Sequence, residues 1–145
     1  AVVTQPAFLY HSGHRYLRET DEETLSWLYP IDSLVKAGLT VAAGSDAPVA
    51  DPDPLLGVYA AASRWAKTGE AIGESQRTTV RTAIEMHTVN GAYVACQETD
   101  KGSLTEGELA DLVLLDRDPT GVEPDQIPCI KVMMTVIGGE VVWRA

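Results

Sequence analysis

The sequence predicts an α/β fold that begins with parallel strands and helices and ends with antiparallel strands. Three observations predict it. An apolar run, 39–43, stands between two glycines, which is typical of a strand buried on both faces of a parallel sheet. Helical patterns follow this run, and from Asp100 onward the pattern changes to period-two apolar runs separated by glycines. Because a single parallel strand pair has open edges, we expect the first part to be the tail of a barrel.

The first forty residues supply a strand, a loop and a helix. The chain opens on an apolar, strand-like run, 1–5, without an initiator methionine, which suggests a piece of a longer chain. The polar tract from Tyr10 to Glu23 predicts a long loop. Pro30 suits a first helical position, apolar residues follow it at helical spacing, and Gly38 supplies a left-handed stop.

Two further helices follow the central strand. Asp53 and Pro54 predict an N-cap and a first helical residue for a helix over 55–67. A second helix is predicted from about Ser75 to Gln97, because its apolar residues recur with a 3.6-residue period. The residues of that face are Val80, Ala83, Ile84, His87, Gly91, Val94 and Ala95.

The last part of the chain predicts an antiparallel element. Period-two runs with glycine turns occupy 102–107, 110–116, 130–137 and 141–143, and they predict strands. Gly138-Gly139 predicts a two-residue hairpin turn, since both central positions of such a turn need a positive φ.

The composition limits the partners and the compartment. With 145 residues the chain has the length of about one domain, and 21 acidic against 11 basic residues give a net charge of −10. This charge disfavours nucleic acid and anionic membranes as partners. The sequence has neither a membrane-spanning run nor a signal-peptide pattern, so we expect the cytoplasm. Cys96 and Cys129 have no metal-site spacing and are expected to be buried.

Asp46 is the candidate catalytic residue, because it follows the central strand directly. Side chains at the carboxyl end of such a strand face the catalytic crevice of α/β folds. An aspartate there can ligate a metal ion and take a proton from the water that attacks a carbonyl. The structural alternative is an aspartate that hydrogen-bonds the backbone two residues on, within the Gly-Ser-Asp-Ala-Pro turn. The local sequence leaves both readings open.

For the other polar residues, the surrounding sequence favours structural roles over catalytic ones. Ser45 lacks the Gly-x-Ser-x-Gly flanks of a nucleophile. His11 and His14 lie in the predicted loop without a third ligand nearby, and His87 on an apolar helix face predicts a hydrogen-bonded packing residue. Arg64 could pair with a carboxylate of the substrate, but a surface ion pair is the favoured reading. Three aspartates near the antiparallel strands predict solvated strand ends and a turn: Asp111, Asp116 and Asp118. No glycine pattern supports nucleotide binding.

Four stretches of the chain carry a family resemblance. They are Tyr29-Pro30-Ile31-Asp32-Ser33-Leu34 running into Ala37-Gly38-Leu39-Thr40-Val41; Gly44-Ser45-Asp46-Ala47-Pro48-Val49 followed by Asp53-Pro54-Leu55; Thr88-Val89-Asn90-Gly91-Ala92; and Lys101-Gly102-Ser103-Leu104-Thr105-Glu106-Gly107 followed by Ala110-Asp111-Leu112-Val113-Leu114-Leu115-Asp116. Together they resemble the C-terminal part of the metal-dependent amidohydrolases, in the branch called amidohydrolase family 3. The resemblance covers about Gln5 to Trp143.

The resemblance implies a fold and a reaction. Residues 1–98 would be the last βα units of a (β/α)8 TIM-type barrel, and residues 99–145 would belong to a flanking small β-sandwich. Asp46 would be the aspartate after the eighth strand, which ligates a divalent metal, expected to be zinc, and shuttles the proton of the hydrolytic water. The expected substrate is a small molecule with an amide-type C–N bond. Glu108 stands where many relatives have lysine, a surface change.

The remaining metal ligands of the family belong to the part of the fold before this chain begins. We therefore expect the 145 residues alone to be inactive, because a divalent metal needs three or four protein ligands. Open sheet edges predict a homo-oligomer or other association. Two alternatives remain: a non-catalytic interaction or oligomerisation module derived from such a barrel, and an unrelated α/β domain in which Asp46 caps a turn.

Overall fold

The computed structural model describes residues 1–145 and contains five strands and six α-helices. In chain order they are β1 (Val2–Thr4), α1 (Ala7–Glu19), α2 (Glu22–Trp27), α3 (Ile31–Lys36), β2 (Val41–Ala43), α4 (Pro54–Ser63), α5 (Val80–His87), α6 (Val89–Val94), β3 (Leu112–Leu115), β4 (Val132–Ile137) and β5 (Glu140–Arg144). Short 3-10 helices occupy Glu74–Gln76, Pro119–Gly121 and Pro124–Cys129. None of the helices has both the length and the apolar character that crossing a bilayer requires.

The strands form two separate sheets, one parallel and one antiparallel. β1 and β2 pair in parallel, with Thr4 opposite Ala43, and the ladder continues to a 3.0 Å bond from Gly44 N to Thr4 O. β3, β4 and β5 form an antiparallel sheet in that order. The mixed α/β class predicted from the sequence is confirmed, including the parallel pair and the late antiparallel strands.

The main core covers one face of β2. Val41 packs among side chains of α3, α4 and α5, and Ala43 lies against the same cluster. Two isoleucines that precede β4, Ile127 and Ile130, are buried in this core as well. The fully or nearly buried members are Ile31, Val41, Val58, Ala61, Ala83, Met86, Ile127 and Ile130. The helices and the segment before β4 therefore share one apolar core.

Local signals in the sequence set several element ends. The Asp53 carboxylate accepts a hydrogen bond from Leu55 N at 2.9 Å, and Pro54 is the first residue of α4, as predicted. Gly138 and Gly139 have φ values of 57° and 84°, which confirms the predicted hairpin turn between β4 and β5. The helix predicted over 55–67 ends earlier, at Ser63, because Arg64 adopts a left-handed conformation with φ 62°.

The prediction of a long loop from Tyr10 to Glu23 is wrong. Most of it belongs to α1, which buries Leu9 and Gly13 although its overall composition is polar. A Cβ at Gly13 would lie 2.6 Å from the Cβ of Ala66, so this glycine permits close packing of α1 on the segment after α4. A helix whose buried stripe contains glycine and alanine is not apparent from its hydrophobic pattern alone.

Three other expectations also need correction. The single helix predicted over 75–97 is two shorter helices that begin at Val80, after a 3-10 helix. The break lies at Thr88, whose φ and ψ are −121° and −98°. Residues 102–107 form turns instead of a strand, because the Glu108 carboxylate accepts hydrogen bonds from Ser103 N and Ser103 Oγ. Cys96 and Cys129, expected to be buried, are both exposed.

The antiparallel sheet exposes apolar side chains on both of its faces. Neighbouring residues of a strand point to opposite faces, and β3 exposes Leu112, Val113 and Leu114 in succession. The exposed large apolar residues of β4 and β5 are Met133, Ile137, Val141, Val142 and Trp143. This sheet therefore lacks the covering layer that a stable sheet normally has.

Candidate active site at the carboxyl end of the parallel strands

Asp46 lies at the carboxyl end of the parallel strand pair. It follows Ala43, the last residue of β2, by three positions, and the bond between Gly44 and Thr4 holds the two strand ends together just before it. Its side chain is exposed. The structure thus places this carboxylate at the end of a parallel pair where ligands bind in α/β folds.

Asp46 has a left-handed backbone conformation within its turn. Its φ is 58°, in the left-handed region that is uncommon for residues other than glycine. The surrounding turn is held by other groups: Ser45 Oγ accepts a bond from Ala47 N at 3.2 Å, and the carbonyl of Asp46 accepts one from Val49 N at 2.9 Å. The Asp46 carboxylate itself takes part in no hydrogen bond or ion pair within the chain.

Other aspartates of the chain differ from Asp46, because their carboxylates bond to the backbone. Asp51 accepts a bond from Asp53 N at 3.0 Å, and Asp53 caps α4. Asp111 and Asp116 accept bonds from Gly138 N and Lys131 N, at 2.7 and 2.9 Å. These carboxylates stabilise backbone turns and strand ends. Asp46 is therefore an exposed aspartate at a strand end without a partner within the chain.

Asp118 is a turn residue, as the sequence predicts. Its carboxylate accepts hydrogen bonds from both the backbone and the hydroxyl of Thr120, and these bonds lower the pKa of Asp118. Ser45 is likewise a turn residue, because its hydroxyl is engaged with the backbone of Ala47. The only hydrogen bond of Ser45 Oγ is with this backbone N–H, so no side chain acts as its base.

Asn90 supports the strand that leads to Asp46, a role that sequence reasoning did not assign. Its side-chain amide donates a 2.9 Å hydrogen bond to the carbonyl of Val41 in β2. The break between α5 and α6 at Thr88 brings Asn90 to this strand. The signal was present in the stretch Thr88-Val89-Asn90-Gly91-Ala92, but its partner is 49 residues away in the sequence.

His11 and His14 lie on α1, not in a loop. His14 is exposed, whereas the Nε2 atom of His11 is buried and has no hydrogen-bond partner. His11 packs edge-on against the ring of Tyr10, with the ring centroids 5.4 Å apart. Nowhere does the chain bring three histidine, cysteine or acidic side chains into one metal-binding group.

His87 packs against α4, but the hydrogen bond predicted for it is missing. A Cβ at Gly57 would lie 2.6 Å from His87 Nε2, so the imidazole rests directly on the backbone of α4. The Nε2 atom is buried and has no hydrogen-bond partner. Burial lowers the pKa of His87, and the charge of Asp53 opposes this shift only in part.

The lowered pKa predicts a pH-dependent contribution of His87 to stability. Below its ordinary pKa of 6.5, the unfolded chain protonates this residue more readily than the folded chain. Stability is therefore lost as the pH falls through 6.5 toward the folded-state pKa. We expect His87→Leu to reduce the loss of unfolding free energy between about pH 7.5 and about pH 5, measured by urea denaturation.

The control for this prediction is His14→Leu, which removes an exposed histidine from α1. It should leave the pH dependence of stability unchanged. An equal effect of the two substitutions would show that burial of His87 does not set this dependence.

Arg64 is buried, which corrects the expected surface ion pair. Its side chain is 0% exposed and forms no ion pair. Instead, the guanidinium donates to the carbonyls of Leu28, Tyr29 and Ile72 at 2.7 to 2.8 Å. Burial lowers the pKa of Arg64 to about 10, so the group remains cationic at neutral pH.

The residues present can supply one ligand of a metal site. An exposed aspartate without a partner at a strand end offers hard oxygen donors, which suit divalent cations. A resident metal needs three or four protein ligands, so further donors must come from outside these residues.

The fold indicates the class of protein. The chain is similar to the crystal structure of an uncharacterized metal-dependent hydrolase from Pyrococcus horikoshii OT3, with a TM-score of 0.72 and 28% sequence identity. The similarity covers 85% of this chain and 25% of that chain. The chain therefore shares the fold of about a quarter of this metal-dependent hydrolase.

The family follows from the sequence match. The amidohydrolase family model matches residues 2–143, and the chain belongs to this family. It is 30% identical over 147 aligned residues to YtcJ of Bacillus subtilis strain 168, covering 99% of this chain and 28% of that protein. It is 29% identical to an N-substituted formamide deformylase of Arthrobacter pascens, covering 95% of this chain and 26% of that protein. The chain thus spans about a quarter of the length of these relatives.

Proposed function

We propose that this chain is the C-terminal part of a hydrolase that cleaves an amide-type C–N bond, with Asp46 as a metal ligand and general base. The observation that carries the proposal is the Asp46 carboxylate: exposed, without a partner, and held in a left-handed conformation at the end of a parallel strand. An aspartate used only to stabilise the turn would hydrogen-bond its backbone.

The chemistry assigned to Asp46 is proton transfer. One carboxylate oxygen accepts the proton of the attacking water, and the same carboxyl group then delivers it to the nitrogen that leaves. A divalent metal, when bound, polarises the amide carbonyl and lowers the pKa of water. The turn 47–53 lies beside Asp46 and would line the mouth of the site.

The reaction type is supported by relatives. One relative is named an N-substituted formamide deformylase, and this name describes the removal of a formyl group from nitrogen. The similarity to a metal-dependent hydrolase supports a divalent metal, for which we propose zinc. We also propose that residues 1–98 form the last βα units of a TIM-type barrel, and that residues 99–145 belong to a flanking β-sandwich. A small-molecule substrate and a cytoplasmic location complete the proposal.

The direct test is metal analysis of the full-length gene product that carries this chain. We expect about one or two divalent ions per chain, amide hydrolysis by the purified protein, and loss of at least about 90% of the activity after dialysis against a chelator. Adding zinc back should restore the activity. Hydrolysis that survives complete removal of the metal would contradict the metal-dependent mechanism.

A specific observation also favours the second candidate, an interaction or oligomerisation module. The antiparallel sheet exposes Val113, Leu114 and Trp143, all about half accessible, and an apolar surface of this kind commonly marks an interface. Full-length protein that carries no metal and hydrolyses no amide, but forms a stable oligomer, would support this candidate over the hydrolase.

A further inference from the structure

Gln5 lies at the end of β1, beside the strand end that leads to Asp46. β1 ends at Thr4, which is paired with Ala43. The hydrogen bond from Gly44 N to Thr4 O joins the two strands at this point. Carboxyl ends of neighbouring parallel strands meet at the same edge of a sheet. Gln5 and Asp46, which follow the two strands, therefore lie at the same edge of the sheet.

The strand register describes the residues just before Gln5. Val41 and Ala43 pack against the helices, and their partners Val2 and Thr4 share that face. Val3 points to the opposite face and is 56% exposed, although its partner Ala42 is 1% exposed. Gln5 follows β1 directly and is half-buried.

The side-chain amide of Gln5 has no structural task in the chain. It takes part in no hydrogen bond with another residue, although its backbone carbonyl accepts one from Phe8 N at 3.1 Å. Gln76 provides a comparison, because its amide donates to Ser33 Oγ at 2.8 Å and accepts from Ser33 N at 3.0 Å. The end of the parallel pair therefore carries a carboxylate and an amide that are both unpaired.

We propose that Gln5 is a substrate-contacting residue that recognises the N–H of a secondary amide in the site of Asp46. This inference rests on the proposed function. A glutamine side chain offers one acceptor oxygen and one amino group, so it can accept from the substrate N–H and donate to an acceptor on the acyl side. The site would therefore prefer secondary over tertiary amides, since an N-methylated substrate leaves the acceptor of Gln5 without a donor.

The test compares Gln5→Leu with the wild type in the metal-loaded full-length protein. The probes are p-nitroacetanilide, a secondary amide, and its N-methyl derivative. We expect the substitution to lower kcat/KM for the secondary amide roughly tenfold, the scale of one lost hydrogen bond, and to change the tertiary amide by less than about threefold. The preference between the two probes should therefore collapse, an effect that a purely structural role would not produce.

The matched control is Gln126→Leu, which replaces an exposed glutamine in the 3-10 helix before β4. It should leave both kcat/KM values unchanged. Metal content and thermal stability are measured for every variant. If Gln5→Leu does not fold, Gln5→Asn replaces it in the test, because it shortens the side chain by one methylene and keeps the amide. Either Gln5 variant should lower the preference for the secondary amide.

The possible results separate the two proposals. A wild type that hydrolyses neither probe nor any other amide overturns the proposed function, and the role of Gln5 with it. Substitution of Asp46 that abolishes hydrolysis, together with a Gln5 variant that keeps the full preference for the secondary amide, overturns the role of Gln5 alone.

Discussion

Replacing Asp46 with asparagine should lower amide hydrolysis by the full-length protein by about a thousandfold or more. Asparagine keeps the size of the side chain and tolerates a left-handed φ, so the turn at φ 58° should persist. It cannot accept the proton of water and is a weak metal ligand, so both tasks proposed for the carboxylate are lost. The measurements are kcat/KM and the metal content of the purified variant.

Asp125→Asn is the matched control for this substitution. Asp125 is also an exposed aspartate without a hydrogen bond or ion pair, but it lies in the 3-10 helix before β4. Its substitution should leave hydrolysis and metal content unchanged. Normal activity in Asp46→Asn would eliminate the catalytic role and favour an α/β domain in which this aspartate only shapes a turn.

Replacing Arg64 with methionine should destabilise the protein by about 3–5 kcal/mol. The substitution keeps much of the side-chain volume but removes all donors to three backbone carbonyls. Tyr29 O still accepts a bond from Ile31 N, whereas the carbonyls of Leu28 and Ile72 have no other backbone partner. Buried acceptors without partners are strongly unfavourable, and a loss of this size is a large fraction of a typical folding free energy.

Urea denaturation measures this change, and Arg77→Met serves as the control. Arg77 is exposed, donates to Ser63 O at 3.0 Å and pairs with Glu74, so its loss should lower stability by at most about 1 kcal/mol. Arg64→Lys keeps the charge without the planar fork and should fall between these two variants. Equal stability of Arg64→Met and Arg77→Met would show that the buried guanidinium does not hold the loop before α3.

The sequence predicts those features of the fold that depend on neighbouring residues. Asp53-Pro54 marks the start of α4 and Gly138-Gly139 marks the hairpin, because a cap or a tight turn is a local interaction. The run 39–43 predicts β2 and thereby the position of Asp46. In each case the interactions of neighbouring residues were sufficient to predict the element.

The features that the sequence does not predict depend on distant partners. The burial of Arg64 requires carbonyls that lie 35 and 36 residues before it in the chain. Asn90 becomes a support of β2 only once α6 turns away from α5 at Thr88. Gln5 was overlooked for the same reason, because it comes to the same sheet edge as Asp46 only when β1 pairs with β2.

The two isoleucines that enter the core from the segment before β4 bear on how such a protein can change over evolutionary time. Ile127 and Ile130 come from the last third of the chain, yet they fill space between helices of the first two thirds. A recombination event with its crossover near residue 98 would leave those helices with unfilled volume, which lowers stability in proportion to the cavity. The helices before residue 98 and the strands after it are therefore expected to be inherited together, as one unit of exchange.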